Sequence, residues 1–122
     1  MTKLVPILFL IGFTLNNCQA QSTGTNSNYI LSDTAYSEAI AEDSIQLLDV
    51  RTPMEYSRGH IEGATNISFL GFGFSKKAAK LDKTKPTFIY CQTEHRSPLA
   101  AKKLLEMGFT QVYDLDDGFK AW

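Results

Sequence analysis

Cysteine is scarce in this chain: two occur in 122 residues, beside two histidines and one tryptophan. Only Cys91 lies in the part that reads as a folded domain, which excludes an intramolecular disulfide there. An excess of charge of either sign is also lacking. Twelve Lys and Arg against thirteen Asp and Glu leave a net charge of −1, and no basic stripe marks a nucleic-acid partner. Lys76, Lys77 and Lys80, with Lys83 and Lys85, read as a solvated face. The longest apolar run is too short to cross a bilayer comfortably. What remains is an ordinary globular composition, 43% hydrophobic and 20% charged, suited to one domain.

That apolar run is N-terminal. Lys3 precedes residues 4–15, an apolar stretch of the length found in signal peptides, so residues 1–20 are expected to be an export signal. Two exits from it are legible. Leu15-Asn16-Asn17-Cys18 has a Leu three positions before a Cys, as a bacterial lipoprotein box does, which would make Cys18 a lipidated N-terminus. Cys18-Gln19-Ala20 offers ordinary cleavage after a small residue instead. Both predict an exported domain in the periplasm or cell envelope, membrane-attached in the first case through the lipid on Cys18. Residues 21–28 are small and polar, a flexible tether, and residues 29–122 form the domain. A free thiol kept in an oxidising compartment points to chemistry.

The stretch Thr87–Glu106 organises the rest. Thr87-Phe88-Ile89-Tyr90 predicts a short buried strand ending at Cys91. A polar loop, Gln92-Thr93-Glu94-His95-Arg96, follows. Ser97 is expected to cap a helix with Pro98 at its first position. Ala100, Ala101, Leu104, Leu105 and Met107 recur at helical spacing, and Gly108 ends the helix. The layout sets a thiol beside loop N–H groups and a helix N-terminus, both of which favour negative charge. Arg96 adds a fork suited to a two- or three-oxygen anion. Cys91 is therefore read as a thiolate nucleophile, the alternative being an inert buried cysteine.

Elsewhere strands alternate with helices. Strands are expected at residues 29–31, 45–50, 64–67 and 111–115. Helices are expected after Ser32 or Asp33, at Thr52-Pro53-Met54-Glu55 with a capping box, and over residues 74–81. Phe69-Leu70-Gly71-Phe72-Gly73-Phe74 is an aromatic connection expected to pack beneath the sheet. The alternation predicts an α/β fold with a parallel sheet covered on both faces, and ligands at the carboxyl ends of its strands. Asp49 and Arg51 share one strand face, expected to be the side of Cys91. They either brace the Cys91 loop or form a structural charge network with Glu55 and Arg58. His60 reads as a structural histidine. His95 either donates to a substrate oxygen or points to solvent.

Four stretches carry a resemblance. Cys91, four residues, then Arg96-Ser97 resembles the active-site loop of the rhodanese domain, a sulfurtransferase module. Residues 47–56 (LLDVRTPMEY), 59–67 (GHIEGATNI) and 117–122 (DGFKAW) resemble three further motifs of that family in order and spacing. Glu94 and Asp117 stand where the family commonly has Gly. The resemblance implies a three-layer fold with a central five-stranded parallel sheet flanked by helices, the Cys91 strand in the middle. It further implies that Cys91 takes sulfane sulfur from a small anionic or persulfide donor and passes it to a thiol or cyanide. Gln92, Thr93, Glu94, His95, Arg96 and Ser97 would bind the anion, supported by Asp49, Arg51, Glu55 and His60. No metal or organic cofactor is implied, and the domain is expected to act as a monomer. Two other classes stand beside this reading. One is a non-catalytic persulfide-binding or redox-sensing envelope module. The other is a phosphatase- or arsenate-reductase-like enzyme, whose loops hold five residues between Cys and Arg where this chain has four.

Overall fold

Thr87–Tyr90 is β-branched and aromatic throughout, and all four residues are buried. A strand so apolar on both faces needs cover above and below, and the chain supplies it. The computed structural model describes residues 27–122. The signal-peptide reading, the tentative lipid on Cys18 and most of the tether lie outside the described residues.

Five strands, β1 (Ser27–Leu31), β2 (Gln46–Asp49), β3 (Thr65–Asn66), β4 (Thr87–Tyr90) and β5 (Gln111–Leu115), form one sheet. Its order is β1-β5-β4-β2-β3, and every pairing is parallel. The strand leading to Cys91 is the central one, as expected. β1 begins two residues before the expected boundary, because Ser27 and Asn28 pair with Gln111 and Val112. The helices are α1 (Asp33–Ile40), α2 (Pro53–Ser57), α3 (Phe74–Ala78) and α4 (Ser97–Glu106), and Phe119–Ala121 adds one 3₁₀ turn. Among the described residues no helix is long and apolar enough to cross a membrane.

Local chemistry accounts for the helix starts. The Ser32 hydroxyl accepts from Ala35 N–H. Thr52 and Glu55 satisfy each other's backbone N–H groups, the reciprocal arrangement of a capping box. Gly108 has φ +100°, the left-handed conformation that ends α4.

Side-chain alternation sorts the core into two clusters, one on each face. Leu48, Val50, Ile89 and Cys91 pack against Phe74 and Ala78 of α3 and Ala100, Ala101 and Leu104 of α4. Leu47, Phe88 and Tyr90 pack against Tyr36 of α1, with Tyr56 of α2 and Phe119 at the margin. Tyr36 is fully buried, and its hydroxyl donates to the Ile89 carbonyl at 3.0 Å. The aromatic connection divides. Phe69 and Phe74 meet edge to face at 5.2 Å and join the core, whereas Leu70 and Phe72 face solvent. The expected packing therefore holds at the two ends of that stretch and fails in its middle. α3 also stops at Ala78, short of the expected residue 81.

Candidate active site

Cys91 follows the last residue of the central strand, where the parallel sheet ends and its carboxyl edge opens. The thiol is buried, and its Sγ donates to the Thr93 carbonyl and lies 3.3 Å from Ser97 Oγ. Ser97 was expected to cap α4. Instead it is the first residue of the helix, Arg96 holds the cap position with no side-chain cap, and the Ser97 hydroxyl faces the thiol. The reason is geometric: a residue inside the first turn directs its side chain back past the helix start, here onto Sγ.

The backbone N–H groups of Gln92 through Arg96 have no acceptor among the described residues. The carbonyls at the loop's beginning are held. Phe119 N–H donates to Cys91 O at 2.8 Å and Lys120 N–H to Gln92 O at 2.9 Å. Gly118 makes this docking feasible. A Cβ there would lie 2.5 Å from Thr93 O and 2.8 Å from Cys91 O, and its φ of +72° with ψ −169° suits glycine alone. Asp117 before it has φ +61°, and among the described residues it is the one non-glycine with positive φ. Glu94, the other position where the resemblance implies a common Gly, is exposed and outside the left-handed region.

A second layer of charge lies under the loop, from the other face of the sheet. Asp49 pairs with Tyr90 in register, and the Arg51 guanidinium lies 4.3 Å from the Phe119 ring centre and 5.6 Å from that of Tyr90. Asp49 and Arg51 thus share a face, but it is the one opposite Cys91, contrary to expectation. One residue of offset decides this, because Val50 rather than Asp49 shares the side of Cys91. Both are buried, and Arg51 Nε and Nη2 donate to the Asp49 carboxylate at 2.7–3.0 Å. Arg51 Nη2 also reaches Gly59 O at 2.6 Å, and Nη1 donates to Gln92 Oε1 at 2.8 Å. This pair is both a structural ion pair and the brace of the residue after Cys91.

Glu55 and Arg96 form the other pair. Arg96 Nη1 and Nη2 meet the two Glu55 oxygens at 2.5 and 2.8 Å, a bidentate fork. These bonds, with help from Thr52, hold the Glu55 carboxyl down to about 2. The fork expected to hold an anion is therefore occupied by a carboxylate of the protein. Arg58, expected in the charge network, takes no part in these pairs.

His60 stacks on Tyr56 at 3.7 Å, and its Nδ1 lies 2.9 Å from Tyr56 O. Both contacts tie it to α2 as a structural residue. His95 and Glu94 are exposed, while Gln92 and Thr93 are half-buried. Arg51, Glu55, Arg58, Gly59, Gln92 and Phe119 line an open cavity of about 340 Å³ beside the loop. It reaches Gln92, one residue from Cys91.

One residue escaped the sequence reading. Asp114 of β5 lies opposite Ile89 in register, on the face of Cys91. It is 4% exposed, and its Oδ1 is buried without a hydrogen-bond partner. Burial pushes its carboxyl up to about 6, although the Ser97 hydroxyl draws it partly back. The signal was present: Val112 and Asp114 alternate onto one face, and Val112 is core.

Comparison with known proteins agrees with this geometry. A rhodanese-like domain model matches residues 32–122. The chain is 33% identical over 87 residues to the thiosulfate sulfurtransferase GlpE of Pseudomonas fluorescens, covering 71% of this chain and 78% of that protein. It is 44% identical over 77 residues to the uncharacterized protein YqhL of Bacillus subtilis, covering 63% of this chain. That match spans 60% of the length of YqhL. Among solved structures, a rhodanese-related protein of Thermoplasma volcanium superposes with a TM-score of 0.67 at 26% identity, covering 77% of this chain and 89% of that one. The polysulfide-sulfur transferase homodimer of Wolinella succinogenes gives 0.61 at 31% identity, covering 77% and 72%. With a family model covering the described domain almost from end to end, the chain belongs to the rhodanese-like domain family.

Proposed function

We propose that the protein is a sulfurtransferase that carries sulfane sulfur as a persulfide on Cys91. The observation that carries this is the position of Cys91 between the end of β4 and the start of α4, beside five consecutive loop N–H groups without acceptors among the described residues. Such groups stabilise a developing anion with no reorganisation cost when the charge arrives. In a small anionic donor such as thiosulfate, the Cys91 thiolate attacks the outer sulfur, the S–S bond breaks and sulfite leaves with the bonding pair. A thiol or cyanide then removes the sulfur from the persulfide. Since Sγ is enclosed by Thr93 and Ser97, a donor must displace part of the loop to reach it.

No metal or organic cofactor enters this scheme. The domain works as a monomer in the cell envelope, exported by residues 1–20 and held there through Cys18 if that residue is lipidated. Bidentate pairing of Arg96 with Glu55 speaks against capture of a tetrahedral oxyanion as in a phosphatase.

Intact-mass measurement after thiosulfate treatment tests the reading. The expected result is a gain of one sulfur atom that cyanide removes, with Cys91→Ser abolishing both events. An unmodified wild type, or an adduct retained on the Ser variant, rejects it.

A further inference from the structure

Buried polar groups in folded proteins are nearly always paired, so an unpaired one calls for a reason. Asp114 is such a group: 4% exposed, with a bare Oδ1, on the same sheet face as the reactive thiol. Between the two stands Ser97, whose hydroxyl lies 3.3 Å from Cys91 Sγ and also draws on the Asp114 carboxyl. A hydroxyl is both donor and acceptor, and its proton rotates to suit its neighbours. The sequence thiol, hydroxyl, carboxylate therefore has the composition of a short proton path.

We propose that Asp114 is the proton acceptor for Cys91, acting through the Ser97 hydroxyl, so that the nucleophilic thiolate is generated inside the protein. The purpose assigned to that thiolate rests on the sulfurtransferase reading; the proton transfer does not. In the step, the single Cys91 S–H turns from the Thr93 carbonyl to Ser97 Oγ, its bond breaks and its proton passes to that oxygen. The original hydroxyl proton of Ser97 forms a new O–H bond on Asp114. The compartment keeps one negative charge throughout, moved from carboxylate to sulfur. The sulfur lone pair then attacks the donor, and the persulfide carries that single charge beside a neutral Asp114. After the sulfur has been handed on, the proton returns by the same path. Asp114 is thus a positioning residue for the proton, while Cys91 makes the bond to sulfur.

The surroundings of Asp114 suit the task. Burial holds its acidity near neutrality, where a group both accepts and returns a proton readily. Asp116, two residues on, pushes in the same direction, and Leu115 N–H with Ser97 pulls back. Tyr36 of α1, across the sheet, is neutral because burial and the Asp114 charge both raise its phenol well above the usual range. The strand, the loop and α4 thus bring Asp116, Cys91 and Ser97 to it, and α1 brings Tyr36.

The test has a decisive sign. A bystander carboxylate would oppose the thiolate by like-charge repulsion, so removing it would speed Cys91 alkylation; removing a proton acceptor slows it. Alkylation by iodoacetamide, located on Cys91 by peptide mass, is followed from pH 5 to 9 in wild type, Asp114→Asn and Ser97→Ala. The expected wild-type profile has a limb near pH 6. Both variants should lose that limb and react about tenfold more slowly at pH 7. Equal or faster alkylation of Asp114→Asn overturns the proposal. Loss of the limb in Asp114→Asn but not in Ser97→Ala overturns the path through Ser97. If Asp114→Asn does not fold by circular dichroism, Ser97→Ala decides alone. Failure of the wild type to take sulfur from thiosulfate would reject the sulfurtransferase reading and leave the alkylation result standing.

Discussion

Two buried aspartates lie on opposite faces of the same sheet. Asp49 is fully enclosed and receives Arg51 Nε and Nη2 and the Arg51 backbone N–H, the last at 2.8 Å. Asp114 is almost as deeply enclosed and has one oxygen with no partner at all. The first arrangement locks: charge, hydrogen bonds and the Gln92 contact hold the loop in one place. The second leaves a carboxyl free to change its protonation. Complete pairing fixes position at Asp49, and incomplete pairing at Asp114 leaves its acidity open to burial.

The largest way to break this contrast is to unpair Asp49. Arg51→Ala leaves a buried carboxylate without its cation, and such losses cost about 3–5 kcal/mol. Urea unfolding should show that decrease, and sulfur uptake should fall with it because Gln92 loses its anchor. A variant within about 1 kcal/mol of wild type would show that Asp49 and Arg51 are not the lock.

The next test addresses Asp114. Its folded value of about 6 lies above the ordinary 3.8, so between those values the native state binds more protons than the unfolded chain. Its contribution to stability should therefore be greatest below about pH 4, fall as pH rises to about 6, and level off above, by at most about 3 kcal/mol. Asp114→Asn should flatten this slope and be the more stable protein at pH 7. Glu55, held down by Arg96, acts with the opposite sign and weakens the fold only as pH drops below about 4.5 towards 2. Urea titrations at several pH values separate the two. An Asp114→Asn protein with the wild-type slope would remove Asp114 from the account.

Two exposed acids sharpen the comparison with smaller effects. Asp117 holds a left-handed backbone, so Asp117→Gly should stabilise by about 1 kcal/mol in the same urea assay. Glu94 does not. Only its solvated charge bears on an anionic donor, so Glu94→Gln and Glu94→Gly should raise thiosulfate kcat/KM by the same factor, about twofold. A clear advantage of Gly over Gln would restore a backbone role for Glu94.

Local chemistry made much of the molecule legible beforehand. The capping box at Thr52 and Glu55, the strand at 111–115, the left-handed Gly108 and the Cys91 loop all depend on residues near one another in sequence. Their spacing therefore reports them directly. The strand alternation also implied a parallel sheet, as observed, while the place of β4 at its centre followed from the family resemblance. Ser97 was misread because a cap and a first-turn residue differ by one position, and only the neighbouring thiol and carboxyl decide which role the hydroxyl takes.

The sequence by itself determined that a cysteine would end a buried strand and open a polar loop before a helix, because apolar run, polar loop and Ser-Pro helix start are contiguous signals. Only the tertiary structure decided the partners of its charges. Arg96 lies 41 residues from Glu55, Arg51 as far from Gln92, and Asp114 comes to Ser97 only when β5 pairs with β4. Pairing at such separations depends on register and on which face each side chain takes. A one-residue offset reverses that choice, and nothing local in the chain records it.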